Sequence, residues 1–448
     1  MGRLFGTDGV RGHAGTSLTA KMTFDLGVAG ATVLTKSYEK LGILIGADTR
    51  ISSDMMVAAL TAGICSVGVN VFHAGIVPAP TVAYLVRKYG LSAGIMVSAS
   101  HNHFADNGIK FYNGQGHKLT DEIEDEITAI FEKVGDVPQA HGNGIGKVIC
   151  TDAATVDYAD FLAAAVQNVD LRGKKIVLDC ANGATYRVAP MVFAQLGAEV
   201  NTLFDTPDGI NINADCGSTH VDKLAQHVKA GGFDMGFAFD GDGDRCFAVD
   251  ENGGVLDGDM IMAVIGKHWY KKGLLSKNTI VATIMSNLGF FNDINRAGLN
   301  AEQTKVGDRY VLEKMIMDGY NLGGEQSGHI ICLDHHTTGD GTLTALVLAS
   351  IVQETGKTLS QLNTVVKLPQ VMINAKIPNA AKDVVLTDSV ISAEIAAAEK
   401  KFAGRGRVNV RPSGTEPLIR VMIEGDDLDE ITAEAKRIAK MMENLTKE

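Results

Sequence analysis

Three aspartates alternate with two glycines in Asp240-Gly241-Asp242-Gly243-Asp244. Carboxylates are hard oxygen ligands, and the intervening glycines let the backbone curl until all three side chains reach one cation, for which magnesium is the natural choice. Three carboxylates so close would repel one another without a counter-ion, which counts against a merely solvated acidic turn. A calcium loop of the helix-flanked type is a sharper rival, since counting from Asp240 puts Glu251 at position 12 of that pattern. Arg245 stands where that loop needs glycine, and Phe237-Ala238-Phe239 and Cys246-Phe247-Ala248-Val249 read as strands, not helices.

Four other segments carry usable chemistry. Ser98-Ala99-Ser100-His101-Asn102 follows the apolar run Ala93–Val97, and a serine on a tight loop after a buried strand can carry a phosphoryl group or simply cap a turn. Asp106-Asn107-Gly108-Ile109-Lys110 places a cation near that loop, where a transferring phosphoryl needs charge and proton management; a surface lysine reads equally well. Arg411-Pro412-Ser413-Gly414-Thr415 joins a guanidinium to two hydroxyls and a glycine-opened backbone, a donor set for phosphate oxygens, with Arg420 as a second contact or an exposed sheet residue. The alternative there is a hairpin turn whose arginine pairs with Glu416. Glu325-Gln326-Ser327 suits sugar hydroxyls, with His329 beside it to move a proton or to serve structure. Two further stretches, Phe5–Gly12 (with Thr7 and Arg11) and Val306–Arg309, put an arginine beside glycine and aspartate; ligand contact and an internal ion pair both fit.

Positioning these loops requires strands and helices in alternation, and short β-branched runs do alternate with helix-length stretches along the chain, the pattern of an α/β fold. Ile43–Asp48, Lys175–Asp179 and Thr279–Thr283 each open a similar unit. Each is followed by a predicted helix ending at a glycine that leads into a new strand: Gly68-Val69-Asn70-Val71, Gly197-Ala198-Glu199-Val200 and Gly298-Leu299-Asn300-Ala301. Each unit then reaches one polar loop: the serine loop, the triple-aspartate loop and Gly324–His329. Because open α/β sheets bind ligands beyond the carboxyl ends of their strands, the three loops are expected to converge on one site. Gly/Pro-rich or glycine-bearing stretches at Gly135–Gly146, Glu251–Gly254 and Lys367–Pro369 place four domains at 1–145, 146–253, 254–367 and 368–448. The last has another style, with helices at Ser389–Phe402 and Asp429–Asn444 and strands at Arg407–Val410 and Leu418–Glu424, a small α+β domain. The expected architecture is three similar α/β domains with mixed, largely parallel sheets plus that smaller domain, around a central cleft.

A chain of 448 residues exceeds what one core organises, and 45% hydrophobic with 21% charged residues marks a folded protein. The net charge of −12 argues against nucleic acid or an acidic membrane as partner. No apolar stretch approaches the ~20 residues that span a bilayer and no signal-peptide core follows Met1, so a cytoplasmic location is expected. The six cysteines are widely spaced without a C-x-x-C pair and read as reduced.

In order and approximate spacing, Phe5–Gly12, Ser98–Asn102, Asp240–Arg245, Gly324–His329 and Arg411–Pro417 resemble the α-D-phosphohexomutases over nearly the whole chain. The resemblance implies a magnesium-dependent isomerase with Ser100 phosphorylated, and with Asp240, Asp242, Asp244 and a phosphoserine oxygen as metal ligands. It also implies that Lys110 and His329 are acid–base candidates and that Arg245 belongs to the catalytic set. Substrate contacts would come from Thr7, Arg11, His101, Arg309, Glu325 and Ser327, while Arg411, Ser413, Gly414, Thr415 and Arg420 hold the phosphate that is not reacting. Chain length and the wording Gly-Glu-Gln-Ser-Gly-His point within the family to glucosamine 6-phosphate and glucosamine 1-phosphate as the small-molecule partners, feeding cell-wall precursor synthesis. A glucosamine or glucose 1,6-bisphosphate activator and a homodimer are further implications. One departure stands out: the family usually has proline after Asn102, and this chain has His103. Glucose or mannose phosphate specificity, a magnesium phosphatase with an aspartate nucleophile, and a non-catalytic sugar-phosphate sensor are the alternatives.

Overall fold

The three predicted openings fold as strands, Gly42–Ala47, Lys175–Asp179 and Thr279–Thr283, because short apolar runs of this kind are buried on both faces of a parallel sheet. A computed structural model describes residues 4–6, 8–36, 42–413 and 416–446. In it each opening strand pairs in parallel with the strand beyond its helix, Asn70–Ile76, Glu199–Leu203 or Asn300–Thr304. On its other side it pairs in parallel with Ala93–Val97, Met235–Phe239 or Leu322–Gly324. An antiparallel strand, Asp106–Asn113, Cys246–Asp250 or Ile330–Cys332, covers the outer edge of each set. The echo in the sequence is thus one strand order written three times. Gly68, Gly197 and Gly298, the predicted helix stops, have φ of 86°, 93° and 83°, a conformation that glycine adopts without a Cβ clash.

Each polar loop connects the third strand of its set to the antiparallel fourth, so all three leave the carboxyl ends of parallel strands. The first sheet is packed on both sides: Ile43, Ile45 and Val97 lie in one apolar cluster with Leu26 and Leu60, and Leu44, Met96 and Tyr112 in another with Val82 and Val86. This alternation is the period-two pattern of a strand buried on both faces. Val148–Cys150 extends this sheet at the Asn70–Ile76 edge, so the first sheet draws a strand from beyond residue 145.

The chain divides into two compact units. The first, Met1–Met285 with Gly298–Thr364, holds the three related sheets; the second is Ser286–Ala297 with Val365–Glu448. The second contains an antiparallel sheet in the order Gln370–Lys376, Leu418–Glu424, Arg407–Pro412, with helices Ser389–Phe402 and Leu428–Leu445. Helix Leu288–Arg296, which joins two strands of the third sheet in sequence, belongs to this unit. Buried Glu424 explains it: its carboxylate accepts from Leu288 N at 3.0 Å and Arg407 Nε at 2.8 Å, and Asn287 Oδ1 accepts from Leu368 N at 3.0 Å. No helix of the described residues is long and apolar enough to cross a membrane.

One buried contact in the first unit has a pH signature. Tyr158 Oη donates to Asp340 Oδ2 at 2.5 Å, and Asp340 caps helix Gly341–Thr355 by accepting from Leu343 N at 2.9 Å. Burial pushes the Asp340 carboxyl up to about 6, against the pull of these donors. Its folded value therefore lies above the unfolded one, so its contribution to stability is present at low pH and lost as pH rises through about 6. A shift of about two units corresponds to roughly 3 kcal/mol. Asp340→Asn is expected to gain on the wild type by that order between about pH 4 and about pH 7 in urea midpoints. Parallel profiles for the two proteins would refute it.

Candidate active site

The triple-aspartate loop leaves strand Met235–Phe239 and turns back into Cys246–Asp250. Three carbonyls hold its shape: Gly241 O accepts from Ala184 N at 2.8 Å, Asp242 O from Ala79 N at 2.8 Å and Gly243 O from Gly341 N at 3.0 Å. Each donor is the first residue of a helical segment, whose amide has no partner within its own helix. The loop is thus fastened by its backbone, and the carboxylates stay available. Its glycines are required sterically. A Cβ on Gly241 would stand 2.5 Å from Ser100 O, and Gly243 has φ 72° with Thr185 Cγ2 only 2.5 Å from where its Cβ would lie.

Asp240, Asp242 and Asp244 are buried, and one oxygen from each falls within 4.8 Å of the others. Asp242 Oδ1 and Asp244 Oδ1 have no hydrogen-bond partner, a costly condition for buried carboxylate oxygens that a divalent cation would relieve. The donor set fits a hard cation such as magnesium. Burial and the charges of Asp244 and Asp242 hold the Asp240 carboxyl well above the usual carboxylate range, despite Arg245 and the Ser100 hydroxyl. Burial would raise Asp244 too, but Lys110, His329 and Arg245 hold it below that range.

Ser100 Oγ donates to Asp240 Oδ2 at 2.5 Å, and His101 Nδ1 lies 3.2 Å from the same hydroxyl. Burial, with Arg245 and Arg11 close by, lowers the His101 imidazole to about 4, so it is neutral at pH 7. Lys110 comes from the strand after the serine loop, with Nζ 2.7 Å from Asp242 Oδ2, 2.8 Å from Asp8 Oδ2 and 3.7 Å from Asp244 Oδ2. Burial alone would lower its ammonium; the three carboxylates outweigh that and hold it well above the ordinary lysine value.

His329 approaches from the third sheet. Its Nδ1 lies 3.5 Å from Asp244 Oδ2 and its Nε2 3.4 Å from Asp308 Oδ2, while Gly339 N–H points at Nε2 from 3.2 Å. Burial disfavours the imidazolium, Asp244 and Asp308 favour it more strongly, and the net shift is upward. Glu325 Oε1 accepts from Gly307 N at 3.1 Å, and Ser327 Oγ is buried without a partner. A hydroxyl bonded to one of three clustered carboxylates, with an ammonium and an imidazole against the other two, is a set of groups that can exchange a phosphoryl group between oxygens.

Four family descriptions match in chain order: phosphoglucomutase/phosphomannomutase alpha/beta/alpha domain I at residues 2–137, domain II at 156–254, domain III at 257–367 and the C-terminal domain at 372–441. The chain belongs to the phosphoglucomutase/phosphomannomutase family. It is 54% identical over 445 residues to the phosphoglucosamine mutase of Clostridium novyi, covering 99% of each chain. It is 52% identical over 447 residues to that of Caldicellulosiruptor bescii, again covering 99% of each. Among solved structures, a phosphoglucomutase/phosphomannomutase family protein from Burkholderia thailandensis shares the fold with a TM-score of 0.81 at 23% identity, over 97% of each chain. Aspergillus fumigatus N-acetylphosphoglucosamine mutase, solved with GlcNAc-6P and magnesium, shares it with a TM-score of 0.71 at 18% identity, over 98% of this chain and 95% of that one. Membership in this family makes the chain a phosphohexomutase, an isomerase that relocates a phosphoryl group within one sugar.

Within this phosphohexomutase, the structure brings Ser100, His101, Lys110, Asp240, Asp242, Asp244, Arg245, Arg11, Glu325, Ser327 and His329 into the first unit, on or beside the three loops. Arg11 donates to Asp8 at 2.5 Å, the internal pair that spacing left open. Arg309 does otherwise: it pairs with Asp121 at 2.8 Å and Glu313 at 2.9 Å, and its neighbour Asp308 accepts from Lys118 Nζ at 2.5 Å. Lys118 also reaches Asp8 Oδ1 at 2.6 Å, closing a chain from buried Lys110 through the half-buried Asp8, Lys118 and Asp308 to buried His329. Lys118 was invisible in the sequence because Gly116-His117-Lys118-Leu119-Thr120 has no motif; Asp8 and Asp308 were visible only as neighbours of arginines.

Arg411, Ser413 and Arg420 lie in the second unit. Arg411 and Arg420 face each other across the sheet, an arrangement of like charges that an anion would relieve. Arg420 pairs with Glu416 at 3.0 Å, and Lys382 Nζ braces the loop from Ser413 O at 2.5 Å and Glu416 O at 2.6 Å. Thr7, Gly414 and Thr415 lie outside the described residues. His103, in place of the usual proline, leaves the serine loop held through its backbone, with Arg50 Nη1 donating to His103 O at 2.5 Å.

Proposed function

We propose that the chain interconverts glucosamine 6-phosphate and glucosamine 1-phosphate through a phosphorylated Ser100, supplying amino-sugar precursors of the cell wall. The observation that carries this reading is Ser100 Oγ placed 2.5 Å from Asp240 at the mouth of a buried three-carboxylate loop. The amino sugar is supported by the relatives of 52–54% identity over the whole chain, which are named phosphoglucosamine mutase.

In the first half-reaction the bond between phosphorus and Ser100 Oγ breaks as one forms to the free hydroxyl oxygen of the sugar phosphate. That hydroxyl's proton passes by way of Lys110 or His329 to Ser100 Oγ, leaving glucosamine 1,6-bisphosphate. After the bisphosphate turns end for end, Ser100 Oγ takes its other phosphoryl group and the proton returns to the freed sugar oxygen, so no net proton is consumed. Magnesium held by Asp240, Asp242 and Asp244 would supply positive charge at the crowded phosphoryl oxygens. Arg245, Arg11 and His101 flank the reacting group, and Glu325 and Ser327 take sugar hydroxyls. Arg309 remains a candidate substrate contact only if it leaves Asp121 and Glu313. Arg411, Ser413, Gly414, Thr415 and Arg420 hold the distal phosphate in the same way for either end of the sugar, and the chain works as a cytoplasmic homodimer.

Coupled assays on glucosamine, glucose and mannose 1-phosphates are expected to give the highest kcat/KM with the amino sugar. A clear preference for glucose or mannose phosphate would overturn the substrate assignment while leaving the family intact. Release of free phosphate without a bisphosphate intermediate would instead support a phosphatase.

A further inference from the structure

Ser100 is one of the non-glycine residues with positive φ, at 53°. A left-handed serine costs on the order of 1 kcal/mol or more, and such a conformation persists only where its surroundings over-determine it. Those surroundings are three side chains from elsewhere in the chain. Arg50 and Asp48 form an ion pair with both side chains wholly buried, Arg50 Nε to Asp48 Oδ2 at 2.9 Å. The remaining guanidinium donors point at the serine loop: Nη2 donates to Ser100 O and to Asn102 O, both at 2.9 Å, and Nη1 to His103 O. From the second sheet's side, Asn213 Nδ2 donates to the same two carbonyls, Ser100 O at 2.9 Å and Asn102 O at 3.1 Å. The amide side is held as well. Ser98 Oγ donates to Asp48 Oδ2 at 2.6 Å and accepts from Ser100 N at 2.9 Å.

We infer that Arg50, anchored by Asp48, and Asn213 are positioning residues that force the left-handed turn at Ser100 and thereby aim its Oγ at the carboxylate loop. A lysine at position 50 would keep the charge but lose the planar fork that reaches three carbonyls and Asp48 together. Asn213 adds a second constraint: it lies on the segment after strand Glu199–Leu203, so it ties the serine loop to the sheet that carries Asp240. Loss of either constraint lets Ser100 relax toward negative φ, which would move its Oγ away from Asp240. None of these three side chains is assigned to metal, sugar or phosphate, so the expected loss lies in the transfer step and not in substrate binding.

The inference rests on Ser100 as the phosphoryl carrier, and its test separates the two. Full-length wild type, Arg50→Lys and Asn213→Ala are dephosphorylated and mixed with magnesium and glucose 1,6-bisphosphate, and the gain of one phosphoryl on Ser100 is timed by mass spectrometry. Arg50→Lys is expected to be slower by on the order of 10²-fold, the usual cost of misplacing a reacting atom by about 1 Å. Asn213→Ala should be slowed less. KM for the sugar phosphate and the magnesium concentration for half-activity should stay within about two-fold of wild type, the pattern of a lost transition-state contribution. Wild-type rates in both variants, or losses that merely track the fraction unfolded by circular dichroism, would overturn the inference. If Arg50→Lys does not fold, Asn213→Ala decides alone, since it leaves the buried ion pair intact. A wild type that acquires no phosphoryl at Ser100 would overturn the proposed function along with it.

Discussion

Ser100→Ala is expected to lower turnover by roughly 10⁴- to 10⁶-fold, the scale seen when an enzyme loses its covalent group. The protein should remain folded. The contacts that hold the loop use Ser100 O and Ser100 N, which alanine retains, and not the hydroxyl. What disappears is the oxygen 2.5 Å from Asp240, and no neighbouring hydroxyl replaces it: Ser98 Oγ is already bonded to Asp48 Oδ2 and to Ser100 N. Intact-mass measurement after incubation with the 1,6-bisphosphate should show one added phosphoryl in the wild type and none in the variant. A variant that still turns over near the wild-type rate would make Ser100 a bystander and favour an aspartate nucleophile.

Asp240→Asn is expected to cost on the order of 10³-fold in turnover and to abolish the stabilisation that magnesium confers. Three buried carboxylates with two unpartnered oxygens are a poor arrangement for the metal-free protein, which relies on Lys110 and Arg245 as counter-charges. A cation that binds only the folded state should therefore raise the thermal midpoint of the wild type, by about 2.7 kcal/mol of stability at a concentration a hundred times its Kd. Asparagine at 240 removes one of the three carboxylates proposed to hold the cation, the one that faces Ser100, so the rise should vanish. The metal-free variant should be no less stable than the wild type, since the Asp240 carboxyl is the one held well above its usual range by burial and by Asp244 and Asp242. An undiminished magnesium-induced rise in the variant would remove Asp240 from the ligand set.

Much of this was legible from residue order. The three strand openings and their glycine-terminated helices follow from local pattern, because burial on both faces demands unbroken apolar runs and a helix stop demands positive φ. The same holds for Ser389–Phe402 and Leu418–Glu424, which appear with the predicted bounds. The triple-aspartate loop was recognisable because carboxylates supplied by one short stretch leave their spacing in the sequence. Helix Leu288–Arg296 was expected in place but not in allegiance, since its membership in the second unit depends on Glu424 and Arg407, more than a hundred residues away.

Residue order by itself therefore determined the repeated α/β units, the loops that leave their carboxyl ends and the carboxylate cluster, all of which depend on neighbours close in the chain. Only the tertiary structure decided what surrounds Ser100: the Asp48–Arg50 pair, Asn213 and the Lys110–Asp8–Lys118–Asp308–His329 chain. The reason is physical. Charges withdrawn from water persist only with partners, and apart from Asp48 with Arg50 and Asp308 with His329 those partners lie about fifty to two hundred residues apart in the chain, so no local spacing records them.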